Sequence, residues 1–414
     1  MAVDRNLFLY DLAVVAILKN EGHYLKEWLD YHLLAGVDHF YLYDNDSSDD
    51  YEKIIAPYVE ADLVTSKYFP GEAMQFAAYN FAVRDYRFQC RYMTFIDLDE
   101  FIFPKNTTDT IAETLDEIFK NFPDASGLAI NWQIFGSNGQ EKADYSRGVL
   151  ERFTSRADVD WVVPIPGRTI SGGNTQIKTI ADPRKIKLFT SAHFPIYFEG
   201  NYSINEIGGR VESYCNEPVT AEKIALNHYN VKSREEHNKK ISKGRVSKKS
   251  DYLNSSWFDM YDRNEIFDDG ILKYRAARAE NFSFASDTER FNRVIESLIK
   301  SLSQFADGKI SDLETALTCR ALSHYLLEKY PDDRFKIFEE ASLAAILNSL
   351  DGLKISEVRL LISELPNLLK LPYPIVVELK NAVLQIISQL MDFMRKRELW
   401  KEFSDLDYLR RILG

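Results

Sequence analysis

Tyr92-Met93-Thr94-Phe95-Ile96, followed at once by Asp97-Leu98-Asp99-Glu100-Phe101, decides how the chain is read. The first five residues, rich in aromatic and branched side chains, read as a buried strand that the carboxylates end abruptly. Upstream the same grammar repeats. Leu12 to Leu18 is a continuous apolar run, as a strand buried on both faces requires. Leu25, Trp28, Leu29, His32, Leu33 and Gly36 follow at helical spacing, with Gly36 as the stop. His39-Phe40-Tyr41-Leu42-Tyr43 is a second strand, ended by Asp44-Asn45-Asp46-Ser47-Ser48-Asp49-Asp50. A helix near Tyr51 to Tyr58, a strand near Asp62 to Ser66 and a helix from about Gly71 to Arg87 lead back to Tyr92. This βαβαβαβ order predicts an α/β fold, a mostly parallel sheet sandwiched by helices, with ligands beyond the carboxyl ends of the strands. Clustered Asn, Asp and Glu residues lie at those ends.

Downstream, Gly127 to Phe135 reads as a further strand, and the stretch from about 136 to 230 as strands and loops. From about 255 onward the pattern turns helical. The expected division is an α/β domain over residues 1–250 and an α-helical extension over 251–414. Lys and Arg number 51 against 63 Asp and Glu, a net charge of −12, which argues against a nucleic-acid-coating surface. Cys90, Cys215 and Cys319 are too scattered for a disulfide framework or a Cys-x-x-Cys site, and suit a reducing compartment. Met1 to Tyr10 does not read as a secretory signal, and Leu12 to Leu18 is far short of the ~20 residues a bilayer span needs. The expected localisation is cytoplasmic.

Asp97 and Asp99, spaced i, i+2 after a buried strand, can both face one divalent cation, and hard oxygen ligands suit Mg²⁺ or Mn²⁺ with positions left for substrate phosphates. The plain alternative is a solvated polar loop that caps a helix. Asn20-Glu21 at the first strand end can bind a ribose or base edge, or simply cap the following helix. Asp44-Asn45-Asp46-Ser47-Ser48 reads equally as a binding loop or an Asx-type turn.

Taken together, Val15 to Glu21, Tyr24 to His32, Gly36 to Ser47 and Phe95 to Phe101 resemble the GT-A-fold glycosyltransferases of family 2 type, and most closely the subgroup near glycosyltransferase family 92. Trp132 to Ser137, Lys178-Thr179-Ile180 and Asn227 to Ser233 extend the resemblance over residues 12 to about 245. It implies a GT-A-like fold, a nucleotide-diphospho-sugar donor (UDP-sugar by default), Mn²⁺ or Mg²⁺, and transfer to an acceptor hydroxyl of a glycan or glycoconjugate with inversion. By that implication Asn20, Glu21, Asp44 and Asn45 line the nucleoside pocket. Asp97 and Asp99 hold the metal and diphosphate, with His228 as third ligand. Lys232 and Arg234 lie near the diphosphate. Trp132 and Phe135 form an acceptor platform or belong to the core.

Inversion needs a carboxylate beside the acceptor hydroxyl. Glu100, Glu151 and Glu236 are the candidates, and Glu151 is preferred because it follows the segment expected on the acceptor side. The rival readings are a haloacid-dehalogenase-like phosphatase, a nucleotidyltransferase, and a degenerate sugar- or nucleotide-binding module. Leu369 to Leu399 has amphipathic stretches that end in Met394-Arg395-Lys396-Arg397. That tail reads as packing on the catalytic domain, as a homo-oligomer contact, or as peripheral docking at the inner membrane face.

Overall fold

The structure, a computed structural model, describes residues 3–164, 171–243, 255–281, 287–350, 353–368, 384, 387–392 and 394–396. Most of the Leu369–Leu399 segment and the end of the Lys232–Lys249 basic run lie outside the described residues. The chain forms two compact units. One comprises Tyr10–Val83 and Tyr92–Phe284, the other Met1–Leu9, Arg84–Arg91 and Ala285–Gly414.

The larger unit is the α/β one. Its strands are β1 (Tyr10–Leu18), β2 (His39–Asp44), β3 (Val64–Tyr68), β4 (Cys90–Phe95), β5 (Glu100–Pro104), β6 (Gly127–Ile134), β7 (Ile177–Ala181), β8 (Ser203–Ile204), β9 (Arg210–Val211) and β10 (Ile224–His228). They form one sheet in the order β9-β8-β6-β7-β4-β1-β2-β3, with β10 paired to both β5 and β6. Pairing is parallel from β1 through β3 and where β6 meets β8 and β10. Strand β7 is wedged antiparallel between β4 and β6. The parallel α/β expectation thus holds, with one reversed strand inserted at the centre.

Residues Leu12 to Ala16 are wholly buried, because helices cover both sheet faces. Helix α1 (Gly22–Leu34) turns Leu25, Trp28 and Leu29 inward. It ends where Gly36 adopts φ 91°, a left-handed conformation that costs glycine little. The helices α2 (Tyr51–Glu60) and α3 (Gln75–Tyr86) follow as read, and α4 (Ile111–Asn121) comes between β5 and β6. Thr110 and Glu113 close a capping box at the start of α4. The Asp97–Asp99 segment departs from the helix-cap alternative: it is a tight turn from β4 into β5, and β5 pairs antiparallel with β10.

The short helix α5 (Val149–Arg152) and the helices α6 (Arg234–Lys243), α7 (Ser255–Tyr261) and α8 (Gly270–Asn281) belong to the same unit. By contacts the α/β unit runs on past residue 250. The physical reason is core membership: Phe258, Tyr261, Ile271 and Tyr274 are buried in the same cluster as the strands. The smaller unit carries α9 (Asp287–Ala306), α10 (Leu313–Lys329), α11 (Asp333–Asn348) and α12 (Ile355–Leu368), with a buried Arg320–Glu339 pair at 2.6 Å between α10 and α11. Among the described residues no helix is long and apolar enough to cross a membrane. None of the three cysteines is in a disulfide.

Trp28 links helix to site. It is fully buried, and its indole N–H donates to the Glu100 carbonyl at 2.9 Å. Trp28→Phe keeps the ring but orphans that carbonyl, so it is expected to cost about 1–3 kcal/mol in a urea unfolding titration.

Candidate active site

The loops at the carboxyl ends of β1 and β2 are sewn to one another. Asn20, at φ 54°, accepts from the Ser48 N–H at 2.7 Å, and its own N–H donates to Ser47 Oγ at 3.0 Å. Asp44 accepts from the Ser47 N–H at 3.0 Å, and Asn45 donates to the carbonyls of Phe69 and Gly71. Asp44 and Asn45 are both buried. Their side chains shape the crevice wall by fixing turns. Glu21 precedes α1 at the same edge and makes no capping hydrogen bond.

Asp97 and Asp99 leave the β4–β5 turn toward different partners. Asp97 Oδ1 accepts from Gln75 Nε2 at 2.7 Å and Oδ2 from Lys178 Nζ at 3.1 Å. Lys178, on β7, is almost wholly buried and also lies 3.4 Å from Glu100. Burial works against its charge, but Asp97 and Glu100 outweigh burial and hold the ammonium above the usual lysine range. Glu100 is buried beneath the turn, and its Oε2 accepts from the Asp97 N–H at 2.8 Å. Burial pushes its carboxyl up to about 8 despite Lys178.

Asp99 faces two kinds of group. Its Oδ2 accepts from Lys240 Nζ at 2.6 Å, with Lys232 Nζ 4.0 Å away, and its Oδ1 lies 3.5 Å from His228 Nε2. Burial alone would raise this carboxyl, yet Lys240, His228 and Lys232 hold it well below the usual range. Lys240 is fastened further by the backbone and side-chain oxygens of Asn230. Lys232 is buried over the Tyr24 ring at 4.5 Å, and burial lowers its pKa.

The residues fit a divalent ion in part. Asp99 Oδ1 and His228 Nε2 offer hard oxygen and imidazole nitrogen at a spacing near the ~3 Å that separates adjacent ligands around an octahedral ion. The other ring nitrogen of His228, Nδ1, is buried and has no hydrogen-bond partner among the described residues. Among those residues no group of three or more Asp, Glu, His or Cys side chains is gathered as a cage. Asp97 stands beside the pair, committed to Gln75 and Lys178.

The remaining expected residues divide. Arg234 is not drawn to the cluster: its guanidinium lies over Phe258 at 4.1 Å and pairs with Asp259 and Glu141. Phe135 is core, fully buried and 4.7 Å from the Tyr229 ring. Trp132 does reach the cluster, with ring centroids 4.2 Å from His228 and 5.1 Å from His193. Glu151 lines a groove of about 390 Å³ along α1 with Tyr24, Glu27, Tyr145, Arg152 and Arg275. Its carboxylate is held by Arg275 at 2.8 Å. Glu236 accepts two guanidinium bonds from Arg152 at 2.9 and 2.7 Å, a third from Tyr24 and a fourth from Ser233.

Lys178, Lys240 and His193 are the members of this site that sequence reading did not assign. Lys178 stood inside a quoted stretch, and that was its signal. Lys240 was one of eight basic residues in a run, and only the phase of α6 singles it out.

The strand ends thus gather the Asp97–Asp99 turn, His228 and the buried Lys178 and Lys232. A model of glycosyltransferase family 92 matches residues 15–266, more than half the chain, and the chain belongs to that family. A family 92 protein of Ricinus communis is 28% identical over 148 residues, 36% of this chain and 26% of that protein. One from Oryza sativa subsp. japonica is 29% identical over 152 residues, 36% of this chain and 25% of that protein. The matched segment thus spans about a quarter of these relatives. Among solved structures, S. aureus TarS 1–349 in complex with UDP-GlcNAc is similar only loosely, with a TM-score of 0.31 at 13% identity over 97% of this chain and 89% of that one.

Arg152→Ala leaves Glu236 buried without its counter-ion. It is expected to cost about 3–5 kcal/mol, read from the denaturant midpoint. Burial raises the Glu236 carboxyl, but Arg152 and Ser233 outweigh it and depress it to about 2. Its stabilisation is therefore fully present above the ordinary glutamate pKa of ~4.5 and lost as pH falls toward 2. Glu236→Gln should flatten the acid limb of stability in that window, and an unchanged limb would show that other groups set it.

Proposed function

We propose that the chain moves a glycosyl group from a nucleotide-diphospho-sugar, with UDP as nucleotide, to a hydroxyl of a glycan or glycoconjugate, inverting the anomeric carbon. Membership of family 92 supports the reaction class. The observation that carries the assignment to this site is the paired use of Asp99, with one oxygen on His228 and the other on Lys240.

In this reading the nucleoside lies against the stitched loops at Asn20, Glu21, Asp44 and Asn45. Asp99 and His228 would hold Mn²⁺ or Mg²⁺, and donor phosphates and water would complete its shell, as such ions prefer. When bound, the ion supplies positive charge against the departing diphosphate.

The chain's own residues do the rest. Lys232 and Lys240 stand on the other oxygen of Asp99 and offer ammonium donors to phosphate oxygens. The burial of Lys232 strengthens that attraction, since charges interact more strongly away from water. Asp97 is locked by Gln75 and Lys178, so the turn cannot swing when charge builds up beside it. As the diphosphate leaves, the anomeric carbon takes on oxocarbenium-like charge, which the carboxylate-rich turn tolerates better than water-poor apolar walls would.

A thermal-shift panel of UDP, GDP, UDP-glucose, UDP-galactose and UDP-GlcNAc, each with and without Mn²⁺, tests this. A Mn²⁺-dependent rise with UDP compounds is expected, and Asp99→Ala should abolish it. At a hundredfold excess over Kd the stabilisation is about 2.7 kcal/mol, easily read. No shift with any nucleotide would sink the donor assignment, and an equal shift without metal would sink the metal.

A further inference from the structure

An inverting transfer needs a proton acceptor on the face of the sugar opposite the leaving group. The carboxylates near the site are committed elsewhere. Glu236 is bound to Arg152, Glu151 to Arg275, and Asp97 to Gln75 and Lys178, while Glu100 is buried beneath the turn. His193 is not so committed. Its Nδ1 lies 3.0 Å from the Ile177 carbonyl on β7. A carbonyl oxygen only accepts, so the proton sits on Nδ1 and Nε2 keeps its lone pair. Among the described residues that Nε2 has no hydrogen-bond partner. The backbone on either side of the ring is fixed: the His193 carbonyl accepts from Thr179 Oγ1 at 3.0 Å, and its N–H donates to Ser191 Oγ at 3.2 Å.

The strand order sets the position. Trp132 is on β6, and β6 has β7 on one side and β10 on the other. His193 is tied to β7, and His228 is on β10. The Trp132 indole therefore stands between the two imidazoles, 5.1 Å from one and 4.2 Å from the other. Lys240 and Lys232 gather on Asp99, and Trp132 separates His228 from His193, on which the Lys178 ammonium acts. With the diphosphate against Lys240 and Lys232, the Trp132 ring and His193 are left to face the acceptor. Burial, and then Lys178, hold the imidazole at about 4, so it is neutral at ordinary pH.

We propose that His193 is the general base of the transfer, in place of Glu151. Its Nε2 takes the acceptor hydroxyl's proton as that oxygen bonds to the anomeric carbon, and the bond from that carbon to the phosphate oxygen breaks, its electron pair leaving on the diphosphate. The imidazolium then gives the proton to water. The assignment rests on the transferase reading above.

The test uses the full chain with Mn²⁺ and follows UDP release from UDP-glucose, UDP-galactose and UDP-GlcNAc with water as acceptor, alongside UDP binding by thermal shift. His193→Asn keeps an N–H for the Ile177 carbonyl and removes the base. It is expected to bind UDP as the parent does and to release it 10²–10⁴-fold more slowly. Added imidazole should restore part of the rate of His193→Ala, which a purely structural role would not allow. An Asn variant as fast as an active parent overturns the base alone, and so does one that loses UDP binding and rate together. A parent that neither binds nor releases UDP overturns the transferase reading and this assignment with it.

Discussion

The ammonium of Lys178, buried between Asp97 and Glu100, is the interaction on which the site depends. The β4–β5 turn places three carboxylates within four residues of chain. Packed below the sheet edge without a cation, they would repel one another and be driven to protonate. Lys178 offsets part of that repulsion at Asp97 and Glu100, and Lys240 and Lys232 offset it at Asp99. The turn is then fixed in direction, with Asp99 held ionised by its lysines.

A second constraint holds the helix that carries Lys240. Glu236, near the start of α6, collects Arg152 from α5, Tyr24 from α1 and Ser233 from its own turn. One buried carboxylate thus fixes the entry angle of α6, and with it where Lys240 arrives. Lys232 reaches Asp99 from a residue at φ 54°, an unusual conformation for lysine that the surrounding packing must maintain. Helix α1 contributes from both ends: Glu21 and Tyr24 at the site, and Trp28 bonded to the Glu100 carbonyl behind it.

The parallel core was legible in the sequence because its signal is local. Leu12 to Leu18 and His39 to Tyr43 are unbroken apolar runs, and each became a fully covered strand. Asp97 and Asp99 were legible for the same reason, as carboxylates that interrupt such a run. What pairs with them was not, since Lys178 lies 81 residues away and nothing local marks a lysine as buried. Arg234 and Lys240 looked equivalent in a basic run, yet the helical period sends the first onto Phe258 and the second onto Asp99. His193 carried no signal, because a ring's lone pair is set by the carbonyl its other nitrogen finds. The helices after residue 255 look alike in sequence, and only their buried faces tell which core they join.

The inserted strand also says something about how the chain reaches this state. β7 completes the middle of the sheet between β4 and β6, and it brings Lys178 with it. Contacts at such separation form late, after the entropy of closing a long loop has been met. Until then the Asp97–Glu100 turn has no cation beneath it, and the half-built sheet shows an open edge at its centre. Closing the sheet and bringing a cation to the turn are therefore one event, so the turn takes its final form only when the sheet is complete.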